Sequence, residues 1–481
     1  MTVTGARRGP IEVPPPGGRR AWWLREALAA DPITRCPPLG RDVEADVVIL
    51  GGGFTGMWSA YFLTEHDPGV RVAILERDIC GGGASGRNGG FLTGWWDELP
   101  DQVELFGEEP ALATCRALGR SIRDIGAWCE QHGVDAWYTP GGYLDVSTAP
   151  AQDGASLTAV REARRLGAGD ELVELSREEL QTRCASPVFR GGVLMRDGAT
   201  VQPARLALGL RRVLLERGVR IFEGTPVRRF RAGPAVEAET PAGRIRARRA
   251  VVALNAWAGA LRELRPRLVT FGSYIVLTAP APDRLRELGW TGGECITNSR
   301  SSLHYYRTTP DGRIAFGGGG GRAAVGSRVG DRFTHDVESA RRAAAGLRRT
   351  FPSFRDVPIE DSWGGPIDMS PSHFPFFGTL GTGSVHFGVG YSGNGVAPSH
   401  LGGRILAGLA TDREDEWARL PLVGHRPRRF PPEPLRTVGG FLVREAIVRS
   451  DNADEEGRRA PLPARLLARA PRALGYHWGP R

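Results

Sequence analysis

A short apolar segment that runs directly into a glycine-rich turn constrains this sequence more than any other feature. Residues 46–50 read D-V-V-I-L and end at Gly51, and a continuous apolar run bounded by glycine predicts a strand buried on both faces, as in a parallel sheet. Residues 54–65 then read as a helix, and residues 71–76, R-V-A-I-L-E, as the next strand. Together they predict a β-α-β unit of about 30 residues.

The turn inside this unit matches the dinucleotide-binding pattern G-x-G-x-x-G. In that pattern Gly51 makes a tight turn, Gly53 lets the backbone approach a pyrophosphate, and Gly56 lets the helix pack on the strand. The helix that begins at Phe54 and Thr55 offers its free N–H groups and the positive end of its dipole to phosphates. We therefore predict that a dinucleotide binds at this turn.

The residues after the second strand indicate which dinucleotide binds. Glu76 lies roughly 20 residues past the last glycine of the turn, where a carboxylate accepts hydrogen bonds from ribose hydroxyls. Arg77 follows it, and this pair alone is compatible with NAD or NADP. The long glycine-rich loop at residues 81–91 favours FAD, because its backbone amides can surround a large flat ligand. It adds the candidate cofactor-binding residues Ser85, Arg87, Asn88, Gly89, Gly90 and Phe91.

The same domain is predicted to resume twice further along the chain. Its later segments are a helix at 203–217, strands at 220–223, 248–254 and 385–389, and a helix at about 399–410. Segments with a different sequence pattern lie between them. They are predicted to be a helix at 108–132 and antiparallel strands at 137–147, 273–278 and 313–316. The predicted fold class is α/β, with a Rossmann-type FAD-binding domain on a parallel sheet and an interleaved α+β substrate domain on an antiparallel sheet.

These segments predict discontinuous domains. The FAD-binding domain takes residues 46–100, 190–270 and 355–425, and the substrate domain takes residues 101–189 and 271–354. Residues 1–20 are rich in Pro, Gly and Arg and are predicted to form a mobile tail. Residues 426–481 are predicted to be an Arg- and Pro-rich extension that packs on the outside and contains one helix at 441–450.

Composition argues against several other classes of protein. The chain has 481 residues, net charge +9 and 63 basic residues, all of them arginine and scattered along the chain, so we expect no nucleic-acid partner. Six cysteines without a C-x-x-C pair predict neither a metal site nor a disulfide framework. We find no signal peptide and no convincing membrane span, so we expect a cytoplasmic protein without membrane insertion.

Three motifs together resemble one family. They are G-A-S-G-R-N-G-G at 83–90, W-G-G-P-I-D at 363–368 and G-Y-S-G-N-G-V at 390–396. The sequence resembles FAD-dependent oxidoreductases of the D-amino-acid oxidase superfamily, above all the gamma-glutamylputrescine oxidoreductase branch. The resemblance extends over about residues 22–450.

The resemblance implies further cofactor-binding residues. The last motif precedes a helix whose N-terminus points at the flavin N1/O2 edge in the family, where it stabilises the negative charge of reduced flavin. Its candidates are Gly390, Tyr391, Gly393, Asn394, Gly395 and Val396. The backbone of Val227 is implied to hold the adenine, and Asn255, Ala256 and Trp257 are implied to form a turn under the cofactor.

The implied reaction is oxidation of a C–N bond. A primary or secondary amine, for which an acylated polyamine is one candidate, transfers a hydride to flavin N5, and the resulting imine is hydrolysed. Oxygen or another acceptor then takes the electrons. The alternatives are an amino- or hydroxy-acid dehydrogenase, a tailoring enzyme of a biosynthetic pathway, and a flavoprotein without enzymatic activity.

The candidate catalytic residues are Tyr305, Tyr306, Arg307 and Trp363. Aromatic side chains can surround a cationic amine, and Arg307 can bind a carboxylate. Residues 308–311 read T-T-P-D, without the arginine that grips an α-carboxylate in amino-acid oxidases of the superfamily, which puts an α-amino acid substrate in doubt.

Lysine, which activates oxygen in sarcosine-oxidase relatives, is absent from the chain. Residues 363–378 hold no cysteine, so we expect non-covalent FAD.

Overall fold

Helices and strands alternate along residues 20–318, 320–381 and 383–477, the part of the chain that the computed structural model describes. The helices are α1 (Trp22–Ala30), α2 (Phe54–His66), α3 (Leu99–Phe106), α4 (Glu108–Gln131), α5 (Leu157–Arg165), α6 (Arg177–Arg183), α7 (Pro203–Glu216), α8 (Pro282–Glu287), α9 (Val337–Thr350), α10 (Val396–Ala410), α11 (Leu435–Glu455) and α12 (Leu462–Ala473). The predicted mobile tail at residues 1–20 lies almost wholly outside the described residues.

The strands are numbered in the same way. They are β1 (Val43–Leu50), β2 (Val72–Leu75), β3 (Phe91–Thr93), β4 (Tyr143–Ser147), β5 (Leu172–Leu175), β6 (Gly191–Met195), β7 (Gly198–Thr200), β8 (Arg220–Phe222), β9 (Arg229–Arg231), β10 (Val236–Glu239), β11 (Arg244–Val252), β12 (Val269–Thr278), β13 (Cys295–Asn298), β14 (His304–Thr308), β15 (Ile314–Gly318), β16 (Ile359–Met369), β17 (Phe376–Leu380) and β18 (Val385–Val389).

The first sheet has a parallel centre in the order β18-β11-β1-β2-β8. The antiparallel strand β17 flanks β18, and the β9–β10 hairpin pairs with β11. All four residues of β2 are buried, as expected for a parallel strand with helices on both faces. Because the central strands are parallel, the turns that follow β1, β2, β11 and β18 meet at one edge of the sheet.

The second sheet is predominantly antiparallel, in the order β16-β12-β15-β14-β13-β4-β6-β5, with one parallel pair between β4 and β13. Helix α9 covers one face of it, where Leu347 joins a buried cluster with Phe316 and Tyr306. The mixed α/β class is therefore confirmed, with both a parallel and an antiparallel sheet.

The domain boundaries differ from the prediction in two ways. Strands β6 and β16 were assigned to the FAD-binding domain, but both pair within the antiparallel sheet. Helix α4 was assigned to the substrate domain, but Trp128 on α4 packs edge-to-face on Trp58 of α2, with ring centroids 5.1 Å apart. Long-range pairing decides these memberships, and the order of segments along the chain does not reveal it.

Two further segments also differ from the prediction. Residues 137–147 were predicted as one strand, but positive φ angles at Trp137 (52°) and Gly142 (82°) bend the chain, and only β4 is extended. The helix predicted at 441–450 is longer and begins before Gly439 and Gly440. Glycines disfavour a helix locally, so the sequence predicted a later start. Helix α12 was missed.

The C-terminal hairpin, which we define as α11, α12 and their connection, is fastened to the antiparallel sheet. Asp451, which is 2% exposed, accepts hydrogen bonds from the backbone N–H groups of Ser301 (3.2 Å) and Ser302 (2.7 Å). Glu455 pairs with Arg300 at 2.7 Å and with Arg349 at 2.9 Å. Among the described residues, no helix is long and apolar enough to cross a membrane.

Candidate FAD site

The turn after β1 is as tightly packed as the glycine pattern predicted. Gly51 has φ 106°, and a Cβ there would lie 2.4 Å from the carbonyl oxygen of Ala253. A Cβ on Gly56 would lie 2.1 Å from the carbonyl oxygen of Gly51, so α2 packs directly on the turn. Gly53 precedes α2 without a capping side chain. The N–H groups that follow Phe54 in the first turn of α2, together with the helix dipole, can therefore face a phosphate.

Glu76 lies beside this turn. Its carboxylate accepts one hydrogen bond from the Gly52 N–H (2.9 Å) and one from the Asp78 N–H (2.8 Å), and burial raises the pKa of the carboxyl group. The Thr225 N–H donates to the Glu76 carbonyl at 2.8 Å, which brings the segment of Val227 to the same edge. Each carboxylate oxygen keeps acceptor capacity for a ribose hydroxyl.

The loop at residues 81–91 is held in shape by its own polar groups. The Asn88 amide donates to the Ala84 and Ser85 carbonyls and accepts from the Gly90 N–H at 2.7 Å. Ser85 Oγ accepts a hydrogen bond from the Phe54 N–H at 2.8 Å, which joins the loop to the start of α2. Arg87 donates to the Gly82 carbonyl at 3.1 Å. The loop is thus preorganised beside the phosphate end of α2.

Asp368 organises the opposite end of the site. It is 1% exposed, and its carboxylate accepts hydrogen bonds from the N–H groups of Gly390 (2.5 Å) and Tyr391 (3.3 Å) and from the Asn255 amide (3.1 Å). Burial raises its pKa to about 7, against the lowering effect of these backbone donors. One carboxylate therefore joins the turn after β11 to the turn after β18.

Both turns that Asp368 holds contain a strained residue. Asn255 has φ 47° and Ser392 has φ 53°, and the Ser392 N–H donates to the Asp368 carbonyl at 2.8 Å. Non-glycine residues in this region cost roughly 1–3 kcal/mol each and persist where the surroundings force them. Here the contacts of Asp368 supply that constraint.

The two ends of the site are also in direct contact. The Thr55 hydroxyl on the first turn of α2 donates to the Tyr391 hydroxyl at 2.9 Å. Trp257, in the turn after β11, lies under the Arg77 guanidinium at 4.5 Å, and Ala256 is buried in the same turn. Gly393, Asn394 and Gly395 lead into α10, which begins at Val396. The structure therefore brings the predicted cofactor-binding segments together at one edge of the sheet.

The predicted catalytic residues divide between the two faces of the antiparallel sheet. Tyr305 faces the glycine loop, where a Cβ on Gly89 would lie 3.1 Å from its ring, and its hydroxyl shares a hydrogen bond with Ser273 at 2.8 Å. Tyr306, the next residue on β14, points to the other face, because side chains alternate along a strand. It is fully buried and stacks on Phe316. The structure does not bring Tyr306 to the site.

Arg307 and Trp363 lie at the site as supporting residues. The Arg307 guanidinium, 2% exposed, donates to the carbonyl oxygens of Val201 (2.5 Å) and Thr308 (3.0 Å), and burial lowers its pKa to about 10. The Trp363 indole N–H donates to the Arg87 carbonyl at 2.8 Å. Both side chains brace the backbone around the glycine loop.

The residues present fit a bound FAD. The turn leaves no room for a Cβ at Gly51 or Gly56 and presents N–H groups. Glu76 can meet a ribose, and the N-terminus of α10 can meet the flavin. Sequence reasoning missed Asp368 and Ser273 as site residues. Asp368 stood in the quoted W-G-G-P-I-D motif, whereas no local signal distinguished Ser273. No group of metal-ligating side chains occurs among the described residues.

Comparison with known proteins agrees with this geometry. The family model described as FAD dependent oxidoreductase matches residues 46–409. The chain belongs to this family. Its curated relatives include gamma-glutamylputrescine oxidoreductase of Escherichia coli, 31% identical over 404 residues that cover 82% of this chain and 91% of that protein. A probable oxidoreductase OrdL of Rhizobium meliloti is 30% identical and covers 82% of this chain and 89% of the relative.

Solved structures share the fold of this FAD-dependent oxidoreductase. Glycine oxidase from Geobacillus kaustophilus superposes with a TM-score of 0.65 at 21% identity, over 80% of this chain and 99% of that one. The family match ends at residue 409, so the C-terminal hairpin lies beyond it.

Proposed function

We propose that this FAD-dependent oxidoreductase oxidises the C–N bond of a primary or secondary amine whose reacting carbon carries no carboxylate, with FAD held non-covalently. An acylated polyamine belongs to this substrate class. The E. coli relative, whose name specifies gamma-glutamylputrescine, supports an amine of this kind.

The state of Arg307 carries the proposal. It is the arginine of β14 on the face of Tyr305, where it would be placed to bind a carboxylate. Its guanidinium instead donates to the carbonyl oxygens of Val201 and Thr308. The turn that follows holds Asp311, which pairs with Arg313 at 2.6 Å. We call the space between this face of β14 and the glycine loop the cleft. Strand β14 and its turn therefore offer the cleft an aromatic wall rather than a carboxylate anchor.

That wall suits an amine. The Phe91 and Tyr305 rings meet edge-to-face with centroids 5.9 Å apart, and ring faces attract a cationic head group or pack on an alkyl chain. Ser273 fixes the Tyr305 hydroxyl. These residues orient the amine and exclude water from it. Bound FAD supplies the two-electron oxidation itself.

Non-covalent binding is supported by the cysteines. All six are free and buried, and Cys80, the one beside the glycine turn, packs against Gly52. Burial raises the pKa of the Cys80 thiol well above its usual value, so the thiol stays protonated and unreactive.

The test is an anaerobic titration of the FAD-loaded protein, followed by absorbance. Matched pairs of compounds, each an amine and its α-carboxylated counterpart, are added, with acylated and free diamines among them. We expect bleaching of the flavin by amines alone. Bleaching by the carboxylated partners would contradict the proposal and favour an amino-acid dehydrogenase.

The same sample distinguishes the remaining possibilities. Readmitting air gives the rate of recolouring, which measures oxygen as an acceptor against added dyes. Acid precipitation should leave all flavin in the supernatant, and flavin retained in the pellet would contradict non-covalent binding. A protein that no amine or acid reduces would be a flavoprotein without this activity.

A further inference from the structure

The C-terminal hairpin exposes an unusual amount of apolar surface. Ten large hydrophobic side chains are exposed in the described part of the chain; six of them lie on this hairpin and a seventh, Leu474, directly follows it. Four of the seven, each between 49% and 65% exposed, are on the first two turns of α11: Leu435, Val438, Phe441 and Leu442. Leu474, just beyond α12, extends this apolar face, because it lines the same cavity as Leu435. Apolar side chains concentrated in this way mark an interaction site.

Arginines surround this apolar face. Residues 426–444 and 466–477 together contain seven arginines and one acidic residue, Glu433. Arg436 and Arg444 turn inward and donate to backbone carbonyl oxygens, so the basic rim consists of the exposed Arg426, Arg428 and Arg429. Arg428 donates to the Leu474 carbonyl at 3.0 Å, and Phe430 stacks on Tyr476 with centroids 5.4 Å apart.

The carboxylates of α11 are engaged with the protein itself. Glu445, midway along α11, pairs with Arg444 and Arg449. Asp451 and Glu455, further along, fasten α11 to the antiparallel sheet. These three carboxylates are thus taken up by contacts away from the basic rim.

Like charges meet in the rim. Arg426 and Arg429 both lower the pKa of Arg267, together with burial, and Arg267 donates to the Pro427 carbonyl at 2.9 Å. Arg262 and Arg265, both exposed, lie on the neighbouring turn, with the exposed Glu263 between them. The excess of positive charge that remains is unfavourable in the isolated protein and is relieved by an anionic surface.

We propose that the apolar end of the C-terminal hairpin docks on a membrane surface rich in anionic lipid. Leu435, Val438, Phe441 and Leu442 enter the boundary between head groups and acyl chains, and the arginines of the rim pair with lipid phosphates. A helix can lie in this plane without spanning the bilayer, and each basic side chain near the surface adds about 1 kcal/mol of attraction.

Charge complementarity favours an anionic membrane, rather than a second copy of the chain, as the surface that covers the apolar face. In a two-fold dimer the same patch meets itself, so the basic rims would face each other across the interface. An acidic surface of extended area relieves the repulsion, and a second basic rim increases it. The apolar residues would be covered in either case, so the charges decide.

The test is sedimentation of the full-length, FAD-loaded protein with vesicles of phosphatidylcholine alone or mixed with phosphatidylglycerol. We expect binding to the mixed vesicles only, with loss of binding at high salt. The double variant Arg426→Glu/Arg429→Glu should bind the mixed vesicles at least about tenfold more weakly. Its control, Arg161→Glu/Arg341→Glu, reverses two exposed arginines elsewhere and should bind as the parent does.

A second pair of variants tests the apolar contribution. Phe441→Ser/Leu442→Ser should also weaken binding at least about tenfold, because both side chains lose burial in the lipid. The control Leu215→Ser alters an exposed apolar residue on α7 and should leave binding unchanged. Flavin content and circular dichroism confirm that each variant is folded.

Two outcomes would overturn the proposal. One is sedimentation with neither vesicle, and the other is equal weakening by the matched controls. Sedimentation velocity in the absence of lipid distinguishes the occupants. A dimer that Phe441→Ser/Leu442→Ser dissociates, in a protein that vesicles do not bind, would assign the face to a second copy. Vesicle binding does not depend on turnover, so this result is independent of the proposed amine oxidation.

Discussion

The candidate FAD site has two halves that are built in different ways. The nucleotide half, residues 51–56 and Glu76, comes from one continuous β-α-β unit, in which Gly56 packs on Gly51 while Gly51 also packs on the distant Ala253. The flavin half, residues 255–257, 363–368 and 390–396, comes from three distant segments that one buried carboxylate, Asp368, holds together. Steric contacts, in part within the unit, specify the first half, and the long-range hydrogen bonds of one residue specify the second.

Gly56→Val should have the largest effect and tests the nucleotide half. A Cβ at this position would lie 2.1 Å from the Gly51 carbonyl oxygen, so α2 cannot remain on the turn. We expect purified protein without FAD or no soluble protein at all, measured by the flavin absorbance per chain. The control is Gly439→Ala, also within a helix but with open space around its Cβ. A Gly56→Val protein with full flavin content would contradict the claim that close packing at the glycine turn forms the nucleotide half.

Asp368→Ala should have the next largest effect and tests the flavin half. It leaves three buried N–H donors without their acceptor, at roughly 1–3 kcal/mol each. We expect the free energy of unfolding to fall by about 5 kcal/mol, together with weaker FAD binding, measured by denaturant unfolding and flavin titration. Asp368→Asn keeps one acceptor oxygen and should recover part of both losses. Equal behaviour of the two variants would contradict the role of Asp368 as an acceptor.

The pKa of Asp368 gives the flavin half a pH dependence of its own, beside that of the buried Glu76 carboxyl in the nucleotide half, whose pKa burial also raises. The folded-state pKa is about 7, above the ordinary 3.8, so folding favours the protonated carboxyl. This stabilisation is complete below pH 3.8 and is lost as the pH rises through about 7, by at most about 4 kcal/mol. Denaturant unfolding of the parent and of Asp368→Asn from pH 5 to 8 measures it. The contributions of all other titrating groups cancel when the two proteins are compared. If the free energies of unfolding of the parent and of Asp368→Asn changed with pH in parallel, the expectation would be contradicted.

The smallest expected effect comes from a substitution in β14 and tests which face of this strand lines the cleft. Tyr305→Phe removes the hydroxyl that Ser273 holds at the cleft, and we expect KM for the amine to rise a few-fold with unchanged flavin content. Tyr306→Phe is the matched control on the opposite face. The Tyr306 hydroxyl is buried without a hydrogen-bond partner among the described residues, so its removal should leave turnover unchanged and stability equal or higher. If Tyr306→Phe altered KM, the amine would bind on the face of the antiparallel sheet opposite to the one proposed.

The same distinction explains what the sequence could predict. The strand, turn and helix at residues 43–66 follow from local glycine sterics and apolar periodicity, so their positions were predicted closely. The flavin half was located only by resemblance, because the role of Asp368 depends on contacts with residues 113 and 22 positions away. Tyr306 looked equivalent to Tyr305, because two adjacent tyrosines differ only in which face of a sheet they occupy. The start of α11 was missed because tertiary contacts outweigh the low helix propensity of Gly439 and Gly440.

The interleaving of the parallel sheet has a consequence for the newly made chain. β1 and β2 are synthesised early, but β11 joins them only after residue 252, and β18 completes the order only after residue 389. Until then β11 presents an unpaired edge, which is prone to wrong pairing. The cofactor can be captured fully only once α10 has left the ribosome. Premature termination before residue 385 should therefore yield an aggregating, colourless product rather than a smaller flavoprotein, and a supply of FAD cannot rescue it.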